Sequence, residues 1–213
     1  MNQIPPIEVP PIEMAVPAFW DSLESRYRAA FVISEGKLKL TEAYFFICHT
    51  IDKSTMVHSI AAHLEQRQKE YAKRYDYTYR LLKSAFLESL FGLREALACL
   101  VDAVFNLEQE NKTGSTSNIY KRAVAKKLAV AKCLKELIPP SSKLGRYLKD
   151  FRHPYVHWED LSRTTGHDML AAIIGHEQLR IANFIATAKE ISEWILAVES
   201  QIAEECAKHL GFH

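Results

Sequence analysis

The distribution of proline is the feature that most constrains how this chain folds. Five of the eight prolines lie in the first seventeen residues, and none occurs between Ala18 and Ile138. Proline breaks helices because it lacks a backbone N–H and clashes with the preceding turn, so its absence over this stretch favours helix. Apolar residues there recur at spacings of three and four rather than in alternation, which argues against strands. The sequence therefore predicts an all-α protein.

The same pattern predicts one domain with a short leading arm. Residues 1–17 alternate proline with isoleucine, valine and glutamate, which is typical of an extended, polyproline-like segment. Residues 18–213 show no internal repeat and no linker of domain-boundary composition. We expect them to form a single antiparallel bundle of about five to seven helices, two or three of them long.

Apolar spacing predicts where the main helices lie. Helices are predicted over about 19–34, from 41, over 55–77 with Ser54 as the N-cap, and over 119–137 and 178–210. Residues 158–177 are expected to be an irregular insertion. The strongest helix is predicted over 78–111, because its apolar residues form one continuous stripe that neighbouring helices must cover: Leu82, Phe86, Leu90, Leu93, Leu97, Val101, Val104 and Leu107.

Composition excludes several classes of protein. Lys plus Arg number 27 and Asp plus Glu 26, so the net charge of +1 excludes a histone-like mode of nucleic-acid binding, and any polyanion site must be local. The 48% hydrophobic content is enough for a core that needs no disulfide or metal. The four cysteines are far apart and form no Cys-x-x-Cys, so the sequence predicts neither a zinc ribbon nor a redox pair, and we expect no cofactor. Without an apparent signal or membrane-spanning segment, we expect a cytoplasmic protein and no membrane partner.

Positive charge is concentrated in one part of the chain. Residues 120–149 carry nine lysines and arginines and lead directly into the segment 151–160. In a nearly neutral protein, such a stretch is either ordinary helix surface or a phosphate-binding region. We predict RNA contacts for four of these residues: Lys126, Lys127, Arg146 and Lys149.

The segment FRHPYVHWED, residues 151–160, is chemically the richest in the chain. It holds Arg152, His153 and His157 beside a tyrosine, a tryptophan and two acids. Pro154 suits the first turn of a helix, where a helix N-terminus favours phosphate. Arginine followed by histidine after four intervening residues is a weak pattern alone, and Arg146 with His153 is a second, looser match.

This segment resembles the signature of the HEPN superfamily, in which arginine, a polar residue and a histidine lie within an all-helical bundle. The match consists of Arg152, His153 and His157. The resemblance implies a metal-independent endoribonuclease that acts as a homodimer, often as a toxin or an antiviral defence effector with an antitoxin or regulatory partner. Other family members are catalytically silent. Glu159 stands where subfamilies paired with nucleotidyltransferase antitoxins carry a tyrosine, so regulation through that tyrosine is not implied.

The resemblance also assigns roles to the three residues. Arg152 would hold the scissile phosphate, His157 would transfer protons, and His153 would orient them. Histidine titrates near neutrality and guanidinium binds two phosphate oxygens, so these groups can promote attack of a 2′-hydroxyl on phosphate without metal. A two-fold dimer would supply a second set.

Three other interpretations remain open at the sequence level. The arginine and histidines can be ordinary structural residues. His153 and His157 with the nearby acids can be read as metal ligands, although Pro154 disturbs the helical face they would need. The chain can also be a non-catalytic helical module that binds a nucleotide, RNA or protein.

Overall fold

In the computed structural model, this protein is an all-α helical bundle, as the proline and apolar patterns predict. The structure describes residues 12–33, 38–71, 77–107, 115–138 and 168–212, and in these ranges it contains seven helices and no strand. The helices are α1 (Ala18–Ile33), α2 (Leu38–Gln66), α3 (Gln68–Tyr71), α4 (Tyr77–Phe105), α5 (Thr116–Ala125), α6 (Ala131–Glu136) and α7 (Asp168–His209).

The long helices α2, α4 and α7 build the core. α2 packs most extensively against α4, and α7 packs against both and against α1. All eight residues of the predicted α4 stripe are buried. On α7, Phe184 is fully buried and meets the rings of Tyr79 and Phe86 edge-on, with centroids 6.1 and 6.0 Å apart. Aromatic packing of this kind adds to the free energy gained from apolar burial.

The expectation that Ser54 begins a helix is wrong. α2 runs without a break from Leu38 to Gln66, and Ser54 lies buried inside it. Ile47 before it and Val57 after it are both fully buried, so continuous apolar packing outweighs the local preference of serine for a cap.

Three helices end in the same backbone motif, and the sequence pattern did not predict the positions of all three ends. α4 ends at Phe105 and is followed by Asn106 (φ 49°), where the Leu107 N–H bonds to the Asp102 carbonyl, and α7 ends before Gly211 (φ 75°) in the same way. α5 ends at Ala125 and is followed by Lys127 (φ 55°), with the Leu128 N–H bonded to the Ala123 carbonyl. This is the Schellman motif, in which a left-handed residue satisfies the last carbonyls of a helix.

These helix ends correct two further predictions. The helix predicted over 78–111 stops at Phe105, and the one predicted over 119–137 is two helices, α5 and α6, separated at Lys127. Lysine and asparagine in the left-handed region carry weaker sequence signals than glycine, which explains the error. The expected irregular insertion over 158–177 is wrong from Asp168 onward, because α7 begins there.

Residues 12–17 precede α1 without helix or strand. The Ala15 N–H donates to Ser59 Oγ on α2 at 3.4 Å, and the Pro17 carbonyl accepts from the Trp20 and Asp21 N–H groups at the start of α1. Within the described ranges, no helix combines the length and apolar character that crossing a bilayer requires.

Candidate functional site

Most of the predicted catalytic and RNA-contact residues lie outside the described part of the chain. Arg152, His153 and His157 fall between residues 138 and 168, and so do Arg146 and Lys149. Their predicted roles stay predictions. Of the predicted site residues, the structure places Lys126 and Lys127.

Lys126 and Lys127 lie at the turn between α5 and α6. Lys127 is exposed and occupies the left-handed position that ends α5. Lys126 is also exposed, and its Nζ donates to the Asn106 carbonyl at the end of α4, 3.0 Å away. The turn between α5 and α6 is therefore tied to the end of α4.

We call the exposed lysines of α5, α6 and their turn the basic segment. Its members are Lys121, Lys126, Lys127, Lys132 and Lys135. The described ion pairs include none of these five side chains. Among the described residues, their positive charge is therefore not neutralised by a paired carboxylate.

A second polar site, which the sequence interpretation missed, joins α1, α2 and α7. The His58 ring on α2 lies between two side chains of α7: its Nδ1 is 2.7 Å from Ser192 Oγ, and its Nε2 is 2.8 Å from Glu199 Oε1. The other carboxylate oxygen, Oε2, accepts from the indole N–H of Trp20 on α1 at 2.7 Å. We call these four residues the polar chain.

The hydrogen bonds of the polar chain take one direction once the protonation states of Glu199 and His58 are set. Glu199 and Trp20 are fully buried, and the His58 side chain is 15% exposed. With Glu199 ionised and His58 neutral, Nε2 carries the proton and donates to the carboxylate, so Nδ1 accepts from the Ser192 hydroxyl. A buried carboxylate is tolerated in an apolar core when each oxygen has a donor, and both oxygens of Glu199 have one.

The polar chain reaches the surface at a groove of about 490 Å³. One side of this groove is the segment from Ala15 to Phe19, and the other is α7 with the half-exposed Leu196. His58, Ser192 and Glu193 supply the polar part of the lining, and the rest is mainly apolar. A concave apolar surface with a few convergent polar groups is the usual form of a small-molecule site.

The sequence contains one signal that points to the polar chain. Glu199 falls on the apolar face of α7, between Ile195 and Ile202, where a charged residue needs a buried partner. The partners could not be identified from the sequence because Trp20 lies 179 positions away from Glu199 and His58 lies 141 positions away.

Two acidic residues that flank the apolar stripe of α4 lie at the surface. Glu88 and Glu95 are exposed, and Glu95 pairs with Arg94 at 3.3 Å. Among the residues that the structure describes, no group of three or more His, Cys, Asp or Glu side chains is arranged to hold a metal ion.

Comparison with known proteins adds no relative: no protein-family model, curated protein or solved structure matches this chain.

Proposed function

We propose that this protein is a metal-independent endoribonuclease of HEPN type that acts as a homodimer. The observation that carries the proposal is the segment 151–160, in which four residues separate Arg152 from His157 within an all-helical chain. The long helix α7 follows this segment, and the basic segment precedes it. The fold class agrees with the one that the resemblance implies.

The proposed chemistry needs three functions at one phosphate. A proton must leave the attacking 2′-hydroxyl, a proton must reach the departing 5′-oxygen, and negative charge must be stabilised on the phosphorane. His157 transfers a proton, Arg152 binds the phosphate oxygens, and His153 helps to orient them. Because one chain supplies one such set, the second proton-transfer group comes from His157 of a second copy across a two-fold axis. The products carry a 2′,3′-cyclic phosphate and a free 5′-hydroxyl.

The basic segment supports RNA as the substrate. Its lysines are exposed and lie outside the described ion pairs, in a chain whose net charge is only +1. Lysines that neutralise phosphates release counterions, so RNA affinity should fall steeply with salt. Replacing Lys126 and Lys127 with glutamate should weaken RNA binding and lower the slope of log affinity against log salt by about 1 for each phosphate that a lysine no longer neutralises. Lys69→Glu on α3 is the matched control, because Lys69 is also exposed but lies outside the basic segment.

The decisive experiment is RNA cleavage in EDTA. Purified protein and its Arg152→Ala and His157→Ala variants are incubated with mixed tRNA and a long single-stranded RNA, and the 3′ ends are identified. His167→Ala is the control, because His167 follows the segment without belonging to the motif. The proposal is supported when the wild type and His167→Ala produce cyclic-phosphate ends and Arg152→Ala and His157→Ala do not. Cleavage that survives His157→Ala refutes the assignment of the site.

The second candidate function is a helical module that binds RNA without cutting it. The basic segment favours it, because its lysines can hold phosphate without any catalytic group. No cleavage by any variant, together with RNA binding that depends on Lys126 and Lys127, would establish this function instead.

A further inference from the structure

The polar chain places a hydroxyl, an imidazole and a carboxylate in the order that activates a nucleophile. Ser192 Oγ and Glu199 Oε1 meet opposite nitrogens of the His58 ring, at 2.7 and 2.8 Å. The carboxylate fixes the imidazole tautomer whose other nitrogen accepts the hydroxyl proton. Trp20 holds the carboxylate in turn through its indole N–H.

We propose that Ser192 is a nucleophile that accepts acyl groups from small, uncharged esters bound in the groove. This proposal does not depend on the proposed ribonuclease activity. The activity would be ester hydrolysis through an acyl-serine intermediate, with Ser192 and His58 as the catalytic residues and Glu199 and Trp20 as positioning residues.

The reaction balances with ester and water alone. Ser192 Oγ attacks the ester carbonyl carbon while its proton passes to His58 Nδ1. As the tetrahedral intermediate collapses, the bond from carbon to the alcohol oxygen breaks, and His58 returns the proton to that oxygen. Water then repeats the sequence on the acyl-serine, releasing the carboxylic acid and restoring the Ser192 hydroxyl.

The groove supplies the surroundings that this reaction needs. Ser192 and His58 both line it, so a bound ester meets both groups. Ala18 and Phe19 also line it, and they lie in the first turn of α1, where a helix leaves backbone N–H groups without intrahelical acceptors. Such donors, with the positive end of the helix dipole, would stabilise an oxyanion that lies within hydrogen-bond distance of them.

The lining also limits the substrate. Its mainly apolar surface and its volume of about 490 Å³ fit a short apolar acyl chain. The Glu193 carboxylate in the lining disfavours an anionic ester.

The first test is covalent labelling of the full-length wild-type protein with an alkyl fluorophosphonate. Bond formation from Ser192 Oγ to phosphorus expels fluoride, and peptide mass spectrometry identifies the labelled serine. We expect one label per chain, at Ser192, and parallel hydrolysis of p-nitrophenyl butyrate. Folded wild-type protein that leaves Ser192 unlabelled under excess probe would overturn the proposal, and this result requires no variant to fold.

Glu199→Gln separates a catalytic from a structural role. The glutamine oxygen still accepts from Trp20, but its NH₂ group faces His58 Nε2 and must donate to it. His58 then carries its proton on Nδ1 and donates to Ser192, so it can no longer accept the hydroxyl proton. We expect the folded variant to label at least about 100-fold more slowly, as an incorrect histidine tautomer implies. Labelling at the wild-type rate would refute the proposed role of the polar chain.

Two controls complete the design. Ser89→Ala should leave labelling unchanged, because Ser89 is a buried helical serine whose hydroxyl contacts Met56 Sδ rather than a histidine. Glu204→Ala should also label like the wild type, because Glu204 is an exposed residue of α7 that does not line the groove. Loss of labelling in either folded variant would contradict the assignment to a site at Ser192.

Discussion

The buried carboxylate of Glu199 allows a quantitative test of how α1, α2 and α7 are held together. Replacing it with alanine leaves the Trp20 indole N–H and His58 Nε2 without their carboxylate partner in a buried location. Each buried donor left unsatisfied costs about 1–3 kcal/mol, and breaking a buried charged network typically costs about 3–5 kcal/mol. We therefore expect Glu199→Ala to lower the free energy of unfolding by about 3–5 kcal/mol.

The glutamine variant should be much less destabilised. Glu199→Gln has nearly the same shape and keeps both hydrogen bonds once His58 changes tautomer. It loses the extra strength of charge-assisted bonds, which is about 1–2 kcal/mol in total, but it also removes a buried charge. For a chain of this size, each kcal/mol lowers Tm by about 2–4 °C, so the alanine variant should melt about 10 °C below the wild type.

Urea unfolding followed by far-UV circular dichroism measures both variants, at one protein concentration because self-association would add to stability. Glu204→Ala is the control on the same helix: its side chain is exposed, pairs with Lys208 at the surface, and should contribute less than about 0.5 kcal/mol. Two results would refute the reasoning. One is that Glu199→Ala and Glu199→Gln lower the free energy of unfolding equally, and the other is that Glu199→Ala lowers it by less than about 1 kcal/mol.

Three further predictions concern the core, pH and a helix end. Burial, with a smaller contribution from Arg67, lowers the pKa of His63, so the unfolded chain takes up a proton near pH 6.5 before the folded protein does. The free energy of unfolding should therefore fall as pH drops below about 6.5, and His63→Gln should reduce that dependence. Urea titrations that give the wild type and His63→Gln the same dependence of stability on pH would contradict this. Phe184→Ala should cost about 3–5 kcal/mol in the same assay, because it removes a fully buried ring between two others; a cost below about 1 kcal/mol would show that the ring is not a core element. Lys127→Gly should raise stability by up to about 1 kcal/mol because its φ is 55°, whereas Lys121→Gly inside α5 should lower it by about the same amount; the opposite order would refute the left-handed assignment.

The sequence predicted the secondary structure well where one strong periodicity acts alone. The stripe on α4 is buried as predicted, and the apolar face of α7 from Phe184 to Ile202 is also buried, because a helix with a wide apolar face is stabilised when that face packs against other helices. Local signals were less reliable. Ser54 has the chemistry of a cap but is buried in the middle of α2, and Lys127 ends a helix without the glycine that usually marks such an end.

The two proposed sites differ in how far the sequence reveals them. The segment around Arg152 and His157 is compact, so it stands out in the sequence, and the phosphate-binding and proton-transfer roles proposed for it follow from the resemblance. The polar chain has no such signature, because its hydrogen bonds join residues 134 to 179 positions apart. A single glutamate on an apolar helix face indicates that a partner exists, but not which residue provides it.

The sequence by itself determined the all-α class, the main amphipathic helices and the positive charge of the basic segment. These properties follow from spacing and composition along a short length of chain. Only the tertiary structure decided that His58 lies between Ser192 and Glu199, and that the segment before α1 forms one side of the groove above them. The physical reason is that helix packing brings distant residues together through the fit of whole surfaces, which no local pattern encodes.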